Sequence, residues 1–262
     1  MTALIRPNRL PAALANGGTA YGLMAFEFFT PGLMAVLAAA GADFVILDME
    51  HSGISIETIR QQIAAARGLD LVPMVRVPGC HYHLIAPVLD AGAMGIMVPM
   101  VETAEQAAQI AAWCRYRPAG VRGLAFGMAH DDFTDGDAIR KMAEENARTL
   151  VIPLIETATG IANADQIMAV EGIDIGWLGH FDLTNTMGIT AQFDHPDFHA
   201  AVDAMVAACR RHGKPAGILG GSLAMVETFR ARGFRCLCYK TDIALLHDAL
   251  RDGLAQLRAG SS

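Results

Sequence analysis

Features that would assign this chain to several other protein classes are missing from its sequence. Basic residues are fewer than acidic ones, 20 against 27, and the net charge of −7 argues against a nucleic-acid partner. No apolar run reaches the roughly 18 residues that span a membrane. The N-terminal segment is broken by Pro7, Pro11 and Gly17 and lacks the apolar stretch of a secretion signal. We therefore predict a cytoplasmic protein with neither membrane nor nucleic-acid partners.

Cysteine and lysine are both scarce. The five cysteines are odd in number and lack the spacing of a metal site, which indicates free thiols in a reducing compartment. Cys236 and Cys238 share one face of a predicted strand, and we interpret them as core residues because cysteine is often buried. Of the three lysines, Lys141, Lys214 and Lys240, only Lys240 lies at the end of a predicted strand.

Charged residues are few enough, and apolar ones frequent enough, to predict a large core. Apolar residues make up 53% of the chain and charged residues 18%, a composition that argues against a disordered chain. The chain has neither a Pro-, Gly- or Ser-rich linker nor a GxGxxG loop after its first predicted strand, so a doubly wound sheet is the weaker alternative. We predict one domain over residues 1–262, with residues 1–18 as an N-terminal extension.

Short apolar runs alternate with longer segments of helical periodicity along the chain. The predicted strands are Tyr21–Ala25, Phe44–Leu47, Leu71–Arg76, Gly95–Pro99, Thr149–Ile155, Ile173–Leu178, Ala216–Leu219 and Arg235–Tyr239. Predicted helices lie between the strands, and examples are Ser55–Arg67, His83–Ala91, Ala104–Cys114, Ala138–Glu145, Ala162–Met168, Pro196–His212, Ser222–Arg232 and a last helix, Ile243–Leu257. The strands are mostly apolar throughout, as in a parallel sheet that is buried on both faces. Eight such units in about 250 residues predict an α/β fold, a single (β/α)8 TIM barrel.

Ionisable residues follow five of the eight predicted strands, at the end where TIM barrels carry their active sites. They are Asp48, Glu50 and His51 after the second strand, Arg76 after the third, Glu156 after the fifth, His180 and Asp182 after the sixth, and Tyr239, Lys240 and Asp242 after the eighth. Each residue alone is more often a solvated loop charge. Their convergence on one rim predicts an active site.

The residue types at this rim suggest their chemistry. Glu156 and Asp182 offer hard oxygen ligands that suit Mg²⁺ or Mn²⁺, although two helix-capping carboxylates would look the same in sequence. Arg76 could bind a substrate carboxylate or stabilise an oxyanion. Its alternative is a plain salt bridge with Asp48 or Glu50.

A histidine and a distant aspartate form a second candidate pair. His51 could be a general base if its pKa lies near neutrality. Asp90, in VLDAGA just before the fourth predicted strand, could orient the imidazole.

Six stretches between about Gly22 and about Leu250 carry a resemblance to a known family. They are AGADFVILDMEHSG, MVRVP, VLDAGAMGIMVPMVETAEQA, RYRPAGVRG, LIETATGIANADQIMAVEGID and LGHFDLTNTMG. In order and spacing they resemble the HpcH/HpaI aldolases, a family of metal-dependent class II pyruvate aldolases. The resemblance implies a TIM barrel in a homo-oligomer, a hexamer or trimer, with exchanged C-terminal helices. It also implies reversible cleavage of a 4-hydroxy-2-oxo acid to pyruvate, or a close analogue such as hydroxypyruvate, and an aldehyde.

The same resemblance implies roles for individual residues. Glu156 and Asp182 would hold the divalent metal, Mg²⁺ or Mn²⁺, with Co²⁺ possible. Arg76 would stabilise the enolate, and His51, oriented by Asp90, would be the acid/base.

Substrate binding is also implied by the resemblance. Backbone N–H groups near Phe181 and Asp182 would receive the carboxylate of the 2-oxo acid, with Gly179 and Arg76 in the same binding site.

The chain departs from the family pattern around this site. Leu154 stands where members often have glutamine, GHFD replaces Gly-Pro-Ala-Asp, and FEFFTPG replaces a polar loop. A set of apolar residues thus indicates a pocket less suited to a dicarboxylate: Phe26, Phe28, Phe29, Leu154 and Phe181. We favour a lining or structural role for His180.

Two other lyase mechanisms are open to this sequence. A Schiff-base aldolase would use Lys240 as its nucleophile. A CoA-thioester lyase of the citrate lyase β-subunit type would need a basic entrance, for which Arg115, Arg117 and Arg122 are the available cluster.

Overall fold

A computed structural model describes residues 3–260 and contains a closed barrel of eight parallel strands that pair in chain order. The strands are β1 (Ala20–Ala25), β2 (Phe44–Asp48), β3 (Val72–Arg76), β4 (Gly95–Val98), β5 (Leu150–Ile155), β6 (Gly176–Leu178), β7 (Ala216–Gly220) and β8 (Phe234–Thr241). All eight predicted strands are present, with bounds that differ by a few residues. The predicted (β/α)8 TIM barrel is therefore confirmed.

Helices follow the strands and form the outer layer. They are α1 (Leu10–Leu14), α2 (Gly32–Ala39), α3 (Ile56–Ala65), α4 (Tyr82–Asp90), α5 (Ala104–Cys114), α6 (Ala138–Arg148), α7 (Ala158–Ala162), α8 (Ala164–Ala169), α9 (His180–Thr186), α10 (Pro196–Arg211), α11 (Leu223–Arg232) and α12 (Asp242–Ala259). No helix within residues 3–260 is long and apolar enough to cross a membrane.

The helix predictions were less complete than the strand predictions. The segment Ala162–Met168, predicted as one helix, belongs to two short helices that meet at Asn163. Helices α1, α2 and α9 were not predicted. Of these, α9 matters most for the site, because it begins directly after β6 and carries Asp182 in its first turn.

The core has two layers, as expected for a barrel whose interior is filled by side chains. The inner layer lies within the strands and includes Phe44 and Trp177, whose rings meet edge to face at 6.4 Å. Cys236 and Cys238 are fully buried in this layer, so their assignment to the core is confirmed. Leu10 of α1 is also fully buried there, with Leu14 packed against this layer, so α1 of the predicted N-terminal extension contacts the inner core. Met1 and Thr2 lie outside the described residues.

The last helix, α12, packs little of its apolar surface against its own barrel. Asp242 is its one buried residue, whereas Leu246, Leu250, Leu254 and Leu257 are exposed at intervals of three or four residues. Such a row of leucines is typical of a helix that packs against another surface. The exchange of this helix between subunits stays a prediction.

Candidate active site

Strand register places the arginine of the site beside its first carboxylate. Asp48 and Arg76 are paired positions at the carboxyl ends of β2 and β3. Arg76 Nε donates a hydrogen bond to Asp48 Oδ1 at 2.6 Å, and Arg76 Nη1 lies 3.0 Å from Glu50 Oε2. Both Asp48 and Arg76 are buried. The charge of Arg76 is thus held in one position at the rim, between two carboxylates.

Asp48 also shapes the LDMEHSG turn that follows β2. Its carboxylate accepts the backbone N–H groups of Glu50, at 3.1 Å, and of His51, at 2.9 Å. The His51 imidazole stands at the mouth of the site, with Nε2 3.8 Å from Glu50 Oε2. One buried aspartate therefore fixes both the arginine and the turn that presents His51.

Glu156 extends from the end of β5 into the same rim. Its Oε1 accepts the backbone N–H of Met100 at 2.9 Å, and Met100 has the left-handed backbone, at φ 57°, that directs this N–H inward. Gly179 lies on the other side, where a Cβ atom would be 2.4 Å from Glu156 Oε2. A side chain at position 179 would therefore displace the carboxylate, so glycine is required for this close approach.

The rim holds more negative than positive charge. Burial is the main cause that raises the pKa of Glu156 to about 7, and the charges of Glu50 and Asp182 add to it. Burial also raises the pKa of Glu50, although Arg76 opposes this rise. Glu50 Oε2 is a buried oxygen without a hydrogen bond of good geometry among the described residues. A bound cation would relieve the repulsion between these carboxylates.

The donor set therefore fits a divalent metal with open coordination positions. Glu156 and Asp182 supply carboxylate oxygens, the ligand type that Mg²⁺ and Mn²⁺ prefer. Within residues 3–260, no group of three or more His, Cys, Asp or Glu side chains is arranged as a complete metal site. Two protein carboxylates would leave the remaining positions to substrate and water, as Mg²⁺ sites commonly do.

Arg76, Glu156 and Asp182 face a cavity of about 290 Å³ at the carboxyl ends of the strands. Its lining consists of Met24, Phe26, His51, Arg76, Met97, Leu154, Glu156, Trp177, Leu178, Gly179, His180, Phe181, Asp182, Leu219 and Thr241. Every predicted catalytic, metal-binding and substrate-binding residue except Asp90 is in this set. Residues from the ends of β2, β3, β5 and β6 thus meet at this cavity, whereas Tyr239, Lys240 and Asp242 at the end of β8 lie outside its lining.

Asp90 lies elsewhere. It ends α4, and its Oδ1 accepts a hydrogen bond from Arg122 Nη2 at 2.8 Å. It lines a different cavity from that of His51, together with Tyr82 and Met128. Within this chain the predicted pairing of Asp90 with His51 is therefore not formed, because Arg122 binds the Asp90 carboxylate. Glu50 is the carboxylate that the chain places beside His51.

Lys240 and two of the three arginines named for the other lyase mechanisms pair with carboxylates outside the cavity lining. Lys240 Nζ donates to Asp248 at 2.7 Å, and this hydrogen bond raises the pKa of Lys240, which opposes the neutral amine that a Schiff base requires. Arg115 is buried against Asp174, at 2.9 Å. Arg122 is buried too, so these two arginines of the proposed CoA entrance do not offer free charge to a phosphate.

Sequence reasoning missed several residues of the cavity. Met24, Met97, Trp177, Leu219 and Thr241 all line it. The first four come from strands that are apolar on both faces, so no alternation marked which of their side chains point into the barrel. The lining position of His180, by contrast, agrees with the role that the sequence favoured.

A pH-dependent stability should result from burial of Glu156. The pKa of Glu156 is about 7 in the folded protein and ordinarily 4.5. The contribution of neutral Glu156 to the stability of the folded protein is therefore fully present below about pH 4.5 and is lost as the pH rises through about 7. Glu156→Gln removes this loss. In EDTA, the unfolding free energy of Glu156→Gln minus that of the unsubstituted protein should be about 3 kcal/mol larger at about pH 8 than at about pH 4.5.

Urea unfolding at both pH values measures this gain. Glu227→Gln, at a side chain 61% exposed on α11, is the matched control and should show none. If Glu156→Gln and the unsubstituted protein differed by the same unfolding free energy at both pH values, the raised pKa of Glu156 would be contradicted.

The fold and the site together define a (β/α)8-barrel enzyme with an acidic pocket at the carboxyl ends of its strands. The model of the HpcH/HpaI aldolase/citrate lyase family matches residues 25–249. The chain belongs to this family, as the sequence motifs predicted.

Named relatives agree with the family match. The hydroxypyruvate/pyruvate aldolase of Roseobacter denitrificans is 34% identical to this chain, over 97% of the chain and 98% of the relative. The 5-keto-4-deoxy-D-glucarate aldolase of Klebsiella pneumoniae is 33% identical, over 94% of each. Among solved structures, an HpcH/HpaI aldolase from Desulfitobacterium hafniense superposes with a TM-score of 0.91 at 27% identity, over 95% of this chain and 96% of that one.

Proposed function

We propose that this chain is a divalent-metal-dependent aldolase that reversibly cleaves a 4-hydroxy-2-oxo acid to pyruvate, or to hydroxypyruvate, and an aldehyde. Family membership and the aldolase-named relatives make it a carbon–carbon lyase. One structural observation carries the proposal: Arg76, Glu156 and Asp182 line one cavity beside His51. An enolate-forming reaction needs such a combination of fixed positive charge, metal ligands and a proton carrier.

Glu156 and Asp182 are the residues that would hold the metal. When bound, the metal supplies Lewis-acid polarisation of the 2-oxo group. The raised pKa of Glu156 means that a proton must leave its carboxyl group before it can be a ligand at neutral pH. We propose Mg²⁺ or Mn²⁺ because all the offered donors are carboxylate oxygens, and Co²⁺ remains a possible substitute.

Cleavage breaks the bond between C3 and C4 of the substrate. A base removes the proton of the C4 hydroxyl, the C4 oxygen becomes the aldehyde carbonyl, and the electron pair of the broken bond forms the C2–C3 double bond of an enolate. We assign the proton transfers to His51, which the Asp48 turn presents at the cavity mouth. Return of a proton to C3 completes pyruvate.

Arg76 stabilises the negative charge that appears on the C2 oxygen. Its guanidinium cannot follow a mobile substrate, because hydrogen bonding to Asp48 and the ion pair with Glu50 hold it in place. A preorganised cation costs no rearrangement when the charge develops. The substrate carboxylate would lie at the start of α9, near Gly179, Phe181 and Asp182, where the first backbone N–H groups of a helix have no acceptor within the helix.

We further propose a cytoplasmic homo-oligomer, a hexamer or trimer, that acts on small molecules. The exposed leucine row of α12 supports association between copies of the chain. The free cysteines fit a reducing compartment.

Exchange of the methyl hydrogens of pyruvate for deuterium tests the proposal without an aldehyde. NMR should show exchange that EDTA stops and that Mn²⁺ or Mg²⁺ restores. Borohydride added with pyruvate should leave the enzyme active and its mass unchanged. A pyruvate adduct on Lys240 after borohydride, with exchange indifferent to EDTA, would establish the Schiff-base mechanism instead.

A further inference from the structure

Around the proposed metal-binding carboxylates, most of the cavity lining consists of aromatic and aliphatic side chains. Phe26, Leu154, Trp177, Phe181 and Leu219 all contribute to its lining. The 2-oxo acid end of any substrate must lie at Glu156, Asp182 and Arg76. The side group of the aldehyde therefore meets the apolar surface.

Charge in this cavity opposes a second anionic group. Arg76 is the one lysine or arginine in the lining, and Asp48 and Glu50 already pair with it. Lys240, which precedes the lining residue Thr241, lies outside the lining and pairs with Asp248. A carboxylate on the aldehyde would lose water without gaining a lysine or arginine of its own among the described lining residues.

The aromatic wall on the β1 side is held firmly. The Asp242 carboxylate, at the start of α12, accepts the backbone N–H groups of Phe26, Glu27 and Phe28 at 2.7–3.0 Å. The ring of Phe26 lies against the Arg76 guanidinium, 5.4 Å from its Cζ. Asp242 thus fixes the turn after β1 so that Phe26 closes one side of the cavity.

The wall on the α9 side is also aromatic. The ring of Phe181 meets His180 at 4.7 Å and Phe193 at 5.0 Å between centroids, yet Phe181 is 58% exposed. His180 is buried, and its ring lies 5.1 Å from that of Phe193 between centroids. An exposed phenylalanine at the cavity mouth, supported from behind by other rings, is an apolar contact surface.

We propose that the aldehyde partner of this enzyme is uncharged and carries an apolar, aromatic or aliphatic, side group that packs between Phe26 and Phe181. This assignment rests on the proposed aldolase function and adds the class of its second substrate.

Competition between aldehydes tests the assignment. With pyruvate and with hydroxypyruvate as donors, kcat/KM should be at least about tenfold higher for phenylacetaldehyde and hexanal than for succinic semialdehyde, a difference of about 1.4 kcal/mol. A preference for succinic semialdehyde would overturn it. Deuterium exchange into pyruvate keeps the two claims apart, because it needs no aldehyde: exchange with an acidic-aldehyde preference rejects the apolar site alone, whereas absent exchange rejects the aldolase.

A charge placed in the proposed contact surface should weaken the preference for uncharged aldehydes. Phe181→Arg should raise the ratio of kcat/KM for succinic semialdehyde over hexanal by about tenfold or more, because the new cation meets the carboxylate. Val36→Arg adds the same charge on α2, at a residue 65% exposed and outside the cavity lining, and should leave the ratio unchanged. Phe181→Leu retains an apolar group and should keep the preference for uncharged aldehydes. An unchanged ratio in Phe181→Arg would reject the placement of the aldehyde at Phe181.

Discussion

Replacement of Glu156 by alanine is expected to lower kcat/KM for aldol cleavage by about 1,000-fold or more, since loss of a metal ligand removes both the metal and the charge stabilisation it supplies. Glu156 is buried, accepts the Met100 N–H and occupies space that Gly179 leaves open for it. Steady-state kinetics over a range of Mn²⁺ concentrations measure the loss.

The control for this substitution is Glu227→Ala, which removes an exposed carboxylate from α11 and should retain full activity. Circular dichroism should show an intact barrel in both variants. A Glu156→Ala protein that keeps full metal-dependent activity would refute the metal assignment.

Replacement of Arg76 by lysine is expected to lower kcat by about 100- to 1,000-fold, with a smaller change in KM. Lysine keeps the charge but lacks the planar fork that lets Arg76 contact Asp48 through Nε and Glu50 through Nη1 at once. The cation would then no longer be fixed where the enolate oxygen develops. Separate measurement of kcat and KM with a saturating 4-hydroxy-2-oxo acid distinguishes this loss from weaker binding.

Arg230→Lys makes the same exchange at an exposed α11 residue and should be neutral. If Arg76→Lys retained kcat and raised only KM, Arg76 would be a carboxylate-binding residue and not the one that stabilises the enolate.

The sequence predicted the strands and the rim more completely than the helices. Each strand is a short apolar run, ionisable residues follow five of the eight predicted runs, and parallel strands bring those ends together. For this reason Asp48, Arg76 and Glu156 could be placed at one rim from their order alone. Helix α9 was not predicted, because HFDLTNT has no helical apolar period and directly follows the β6 strand.

Two contacts could not be predicted from the sequence and were found only in the structure. The partner of Asp90 could not be inferred, because Arg122 lies between α5 and α6, where the chain forms neither helix nor strand and the sequence does not reveal its path. The same is true of Asp242: its bonds to the turn after β1 join residues more than 200 positions apart. Of the phenylalanines in FEFFTPG, Phe26 lines the cavity, whereas Phe28 and Phe29 lie outside its lining, which corrects part of the predicted apolar set.

Metal removal and restoration during aldol condensation tests the central claim most directly. The enzyme is incubated with EDTA, desalted and assayed for condensation of pyruvate with an aldehyde before and after addition of Mn²⁺ or Mg²⁺. The account predicts that the EDTA-treated enzyme is inactive and that either cation restores activity in the unsubstituted protein but not in Glu156→Ala. Full condensation activity in the metal-free enzyme would contradict it.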